Sequence, residues 1–110
     1  MKRLLLVIFI LLAAAYPLNK VSSANEETKN SAGENLFNQY CLMCHPDGGN
    51  IFNAQKSLHR NDLNSHNIKT PEDIVNFMRN PGSAMPSFDE DKIPDDFAKQ
   101  IAQYILDTFK

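Results

Sequence analysis

The chain has two cysteines, Cys41 and Cys44, separated by two residues and followed at once by His45. A disulfide between residues this close would close too small a loop to constrain much of the unfolded chain. The pair therefore cannot serve as the staple that a small domain usually needs. The same spacing is that of covalent haem attachment, in which each thiol adds to one vinyl group and the adjacent imidazole reaches the iron. A largely apolar ring system the size of several side chains would also supply the core that so short a chain lacks. Two other readings of the cysteines are weaker. A redox Cys-x-x-Cys of the thioredoxin kind sits in a βαβ setting, and no strand pattern precedes Cys41. A zinc site needs four ligands; Cys41, Cys44, His59 and His66 could supply them, but neither their gap nor the export route favours one.

The start of the chain reads as an export signal. Lys2 and Arg3 precede an apolar run from Leu4 to Ala15, and Ser22-Ser23-Ala24 offers small residues for cleavage after Ala24. The run falls well short of the roughly twenty residues of a membrane-spanning helix, and no cysteine lies near the cleavage site to carry a lipid. We expect residues 1–24 to be a secretory signal and residues 25–110 to be one soluble, monomeric domain in the periplasm, or in the thylakoid lumen of a photosynthetic organism. Lys2, Arg3 and Lys20 leave with the signal, so 8 basic residues remain against 13 acidic ones, a formal charge of −5. That balance disfavours nucleic acid, whose phosphates need basic patches. It suits solubility and steering toward a basic partner.

The rest of the domain reads as all-α. Ser31 and Glu34 have capping-box spacing, which predicts a helix from about Ala32 after a polar lead-in at 25–30. Leu36, Phe37 and Tyr40 give that helix one apolar face, and it runs into Cys41. Pro46-Asp47-Gly48-Gly49-Asn50 is turn chemistry, and residues 58–63 suit a short helix. Thr70-Pro71-Glu72-Asp73 begins another, with Ile74, Phe77 and Met78 inward and Asn80-Pro81-Gly82 as its stop. A proline-punctuated loop leads to a last helix from about Pro94, with Phe97, Ile101, Tyr104, Ile105 and Thr108 on one face. No segment alternates with a period of two. Three to four short helices and long loops point to a large central ligand.

A haem that transfers electrons normally has both axial positions filled, and five residues are candidates for the second. Met43 lies inside the attachment loop and cannot reach the opposite face. Met78 lies on an apolar helix face, where a methionine is usually core. His59 and His66 stand in polar stretches and would give a bis-His site of lower potential. Met85, in the small-residue loop Gly82-Ser83-Ala84-Met85-Pro86, has room to extend inward and is the best candidate, although a loop methionine taken alone is more often a gap-filler.

With these motifs in hand, the sequence resembles the class I cytochromes c, and within them the small monohaem c-six-like group. The resemblance covers essentially residues 25–110. It rests on Gly33-x-x-x-Phe37 before Cys41-x-x-Cys44-His45, on Gly48-Gly49-Asn50, on Lys56-x-Leu58, on Ala84-Met85-Pro86-Ser87-Phe88, and on Ile101-Ala102-x-Tyr104-Ile105-Leu106. It implies the cytochrome c fold wrapped around one covalent haem c, with the first and last helices crossing where Gly33 and Phe37 meet Tyr104. It implies Cys41 and Cys44 as the attachment and His45 and Met85 as the axial pair. The function implied is single-electron transfer between redox proteins through transient contacts, with no enzymatic activity. A haem-based sensor or small-ligand binder with a labile methionine is the alternative; a peroxidase-like enzyme is weaker still, because no acid–base group is placed for it. Leu36, Phe37, Phe52, Leu58, Ile74, Phe77 and Phe88 are expected to wall the haem. The acidic clusters at 89–91 and 95–96 read first as a solvated helix start.

Overall fold

The computed structural model describes residues 24–82 and 84–110, with side-chain burial from residue 27 onward. The expected export signal therefore lies outside the described residues, apart from Ala24. Four α-helices follow in order: α1 (Ala24–Tyr40), α2 (Arg60–Ser65), α3 (Pro71–Arg79) and α4 (Asp95–Thr108), with short 3-10 turns at Pro46–Gly48 and Ala54–Lys56. Among the described residues there is no strand, and no helix is long and apolar enough to cross a membrane.

Helix α1 starts about eight residues earlier than the capping-box spacing predicts. Ser31 does not cap it: its hydroxyl donates to the Thr28 carbonyl, 2.9 Å away, as a serine inside a helix does. Residues 27–31 are exposed, so this first part is held by helix propensity and backbone hydrogen bonds, with no packing to reveal it in the hydrophobic pattern. From Gly33 on, the expected face appears. Gly33 and Phe37 are buried, and Leu36 and Tyr40 are half-buried.

Helices α1 and α4 cross at Gly33. A Cβ placed there would lie 2.5 Å from the Gln100 carbonyl oxygen and 2.8 Å from the Tyr104 Cβ, so only glycine allows this approach. One turn on, the Phe37 ring packs against Tyr104 and Phe109, with centroids 5.4 Å from each. Phe37 is 1 % exposed, and burying such a ring stabilises the fold by about 1.5–3 kcal/mol.

The inward stripe of α4 is Ala98, Ile101, Ala102, Ile105 and Leu106. This corrects the expected face. Phe97 is 42 % exposed and Thr108 is exposed, because the two alanines lie against the core and leave larger side chains no room on their side. Helix α3 starts as its sequence predicts. Thr70 Oγ1 accepts from the Asp73 backbone N–H at 3.2 Å, and the Asp73 carboxylate accepts from the Thr70 and Lys69 N–H groups, both at 2.9 Å. Ile74 and Met78 are buried, but Phe77 is 41 % exposed.

Gly33→Ala would raise helix propensity by about 1 kcal/mol, but the clash is with a backbone carbonyl that cannot swing aside. Overpacking of this kind costs about 1–3 kcal/mol, so we expect net destabilisation in denaturant unfolding of the haem-loaded protein, and Gly33→Val to be worse. The backbone N–H of Lys69, then those and the hydroxyl of Thr70, hold the Asp73 carboxyl below its ordinary value of 3.8. A depressed folded-state pKa contributes stability that is complete above the unfolded value and lost as pH falls through the folded one. Asp73→Asn should therefore melt lower than the parent at neutral pH, with the gap narrowing below about pH 4; a gap independent of pH would contradict the capping role.

Candidate haem-binding site

Both thiols come from the end of α1. The Cys41 and Leu42 N–H groups still bond to the Phe37 carbonyl, at 2.8 and 3.1 Å, and the Cys44 and His45 N–H groups turn back to the Cys41 carbonyl, at 3.1 and 2.9 Å. One tightened turn thus carries Cys41, Cys44 and His45 together. Burial, followed by the nearness of Cys44, pushes the Cys41 thiol up to about 12. Redox-active thiols shift the other way, which counts against a thioredoxin-like role.

His45 is 8 % exposed, and its Nδ1 lies 2.7 Å from the Gly49 carbonyl oxygen. A carbonyl can only accept, so Nδ1 carries the proton and the neutral ring has its lone pair on Nε2. Metal-bound histidines are oriented in this way, through the nitrogen that does not bind. The Gly49 carbonyl is in turn set by a tight turn: Asp47 and Gly48 have positive φ, 53° and 76°, and the Gly49 N–H bonds to the Pro46 carbonyl at 2.9 Å. A Cβ at Gly48 would lie 2.5 Å from the Phe109 ring, so the end of the chain presses directly on the histidine's turn.

Cys41, Cys44 and His45 open onto a cavity of about 210 Å³ whose lining also includes Met85. The remaining lining is mainly apolar, with Leu58, Ile74 and Phe77 prominent and Asn50, Lys56 and Asp62 among its polar members. Two thiols, an imidazole with a free Nε2 and a thioether around an apolar space are the donor set and surroundings that a covalent haem requires. The structure separates the other candidate ligands. Met43 is 88 % exposed. Met78 belongs to the core at 3 % exposed, although it also reaches the cavity wall. His66 touches the cavity, but its Nδ1 is engaged with the Asp62 carbonyl at 2.8 Å and it is largely open to solvent. His59 packs edge-on against Phe109, with centroids 6.0 Å apart. Of the expected wall, Leu36, Phe37 and Phe88 do not line the cavity, Phe37 belonging instead to the α1–α4 crossing, while Phe52 does line it and is 68 % exposed.

Sequence reasoning missed three residues that hold this site in place: Arg60, Arg79 and Phe109. Arg60 donates through its backbone N–H to the Phe109 carbonyl at 3.1 Å and through its guanidinium to the Leu106 carbonyl, fixing the tail that presses on Gly48. Arg79 ties down the loop that carries Met85. A basic residue in the last turn of a helix is a faint signal for Arg79; nothing local marks the other two.

Comparison with known proteins follows this geometry. The family model described as cytochrome c oxidase, cbb3-type, subunit III matches residues 28–105. Cytochrome c6 of Cyanidium caldarium is 33 % identical over 106 residues, 96 % of this chain and 92 % of that protein. The chain belongs to the class I c-type cytochromes, in their c6 group. Cytochrome c6 of Leptolyngbya boryana is 38 % identical over 77 residues, 70 % of this chain and 89 % of its relative. Among solved structures, the outer membrane cytochrome OmcF from Geobacter sulfurreducens superposes with a TM-score of 0.69 at 38 % identity, covering 71 % of this chain and 99 % of that one. Oxidised cytochrome c6A from Arabidopsis thaliana gives 0.67 at 27 % identity, over 71 % and 87 %. The cytochrome c fold expected from the motifs is thus the fold found. This cytochrome carries haem c and serves as a monohaem electron carrier between redox proteins.

Proposed function

We propose that this cytochrome is made with a secretory signal at residues 1–24 and works as a soluble monomer of residues 25–110, in the periplasm or a thylakoid lumen. Its haem is bonded through Cys41 and Cys44, with His45 and Met85 as the axial pair. What carries the reading is one arrangement: both thiols, an imidazole fixed through Nδ1 and a half-buried thioether all border a single apolar cavity. When bound, haem c supplies a one-electron couple at its iron. The protein's part is to hold the imidazole lone pair in place through Gly49, to keep water away with Leu58, Ile74 and Phe77, and to offer a sulfur ligand that favours the reduced iron and raises the potential. The contact with each redox partner is small and transient. Nothing in the cavity favours the sensor alternative, which would need Met85 to leave readily.

The axial assignment is tested by the weak long-wavelength charge-transfer band that methionine sulfur gives to ferric haem. Met85→Ala should abolish it, and the ferrous form of that variant should take up carbon monoxide. Met78→Leu, a volume-conserving change costing less than about 1.5 kcal/mol, should keep the band. A Met85→Ala protein that retains the band would overturn the assignment. Carbon monoxide uptake by the unaltered ferrous protein would favour the sensor.

A further inference from the structure

Fifteen residues, 80 to 94, connect α3 to α4 and carry Met85. A connection of this length without regular structure needs specific anchors to hold one shape. Met85 is half-buried, while its neighbours Ala84 and Pro86 are exposed, and Gly82 has nothing within 4 Å of where a Cβ would stand. The amino-terminal side of the loop thus offers Met85 little support.

The carboxyl-terminal side is different. The Phe88 N–H donates to the Met78 carbonyl at 2.9 Å, and the Phe88 carbonyl accepts from the Arg79 guanidinium at 2.8 Å. Phe88 is therefore gripped by both its backbone groups, three residues after Met85. The Ser87 hydroxyl adds a bond to the Arg79 carbonyl, at 2.8 Å. The same guanidinium nitrogen reaches the Ile93 carbonyl at 2.9 Å, and the other terminal nitrogen pairs with the Asp95 carboxylate at 2.7 Å. The Arg79 side chain is only 16 % exposed. One planar fork thus joins the end of α3, two points of the loop and the first residue of α4, which a lysine's single ammonium cannot match in geometry.

We propose that Arg79 is a positioning residue for Met85, holding the loop so that the thioether stays within reach of the iron. The proposal rests on Met85 being the axial ligand. Loss of this clamp raises the fraction of molecules with the thioether away from the iron, and an external ligand then binds more tightly in proportion to that fraction.

Imidazole binding to the ferric, haem-loaded protein tests it, at a temperature well below unfolding. For Arg79→Ala we expect about tenfold tighter imidazole binding and a weakened methionine charge-transfer band. Arg79→Lys keeps the charge without the fork and should change in the same direction by less; it decides the matter if the alanine variant does not load haem. Asp73→Asn, destabilised at the opposite end of α3 from the loop, should bind imidazole like the parent, which separates positioning from general loss of stability. Parent-like imidazole affinity and an undiminished band in both Arg79 variants would overturn the proposal. Failure of the underlying axial assignment would show elsewhere, as a Met85→Ala protein with the parent's band and imidazole affinity.

Discussion

Gly33 lets the backbone of α1 approach the Gln100 carbonyl of α4 more closely than any side chain would permit, and the site takes its position from that contact. The approach seats Phe37 against Tyr104 and Phe109. Phe37 is also the residue whose carbonyl receives the Cys41 and Leu42 N–H groups. The packed crossing and the thiol-bearing turn are thus joined through one residue. Phe109 then reaches from the other helix to Gly48, beneath the turn that orients His45. Core packing and ligand orientation are here parts of the same contact network.

The two sides of the cavity are secured by different physics. On the histidine side, the turn follows directly from a buried helix and is closed by short backbone bonds and a buried imidazole. On the methionine side a long loop is held by hydrogen bonds to one guanidinium, by the Phe88 N–H and by the buried Ile93 side chain. A carrier benefits from this division. Under the proposed ligation the ring would be held by the attachment turn, and the Met85 sulfur would tune the potential.

The parts of this fold legible in the sequence are those with local causes. Thr70 and Asp73 announce the start of α3 because capping acts over three residues. The cysteine–histidine spacing announces the haem because the chemistry needs those groups adjacent. Met85 stood out from Met43 and Met78 on loop context, and the structure places it on the cavity wall. The early start of α1 left no trace, because residues 27–31 are exposed and carry no hydrophobic period. The inward face of α4 was misjudged because alanines look weakly apolar in a sequence, although Ala98 and Ala102 allow the closest packing. Arg60, Arg79 and Phe109 act across long separations in the chain, Arg60 reaching Leu106 forty-six residues away. Beyond the basic residue in the last turn of α3, no local pattern encodes such contacts.

The central claim is that Cys41 and Cys44 join this chain to one haem, and the mass of the purified protein, with the proposed signal removed, tests it most directly. After acid–acetone extraction, which removes haem that is not covalently bonded, mass spectrometry should give the mass of residues 25–110 plus a single haem, and the mass of 25–110 alone when both cysteines are replaced by serine. An unsubstituted protein recovered at the mass of the bare chain would contradict the account.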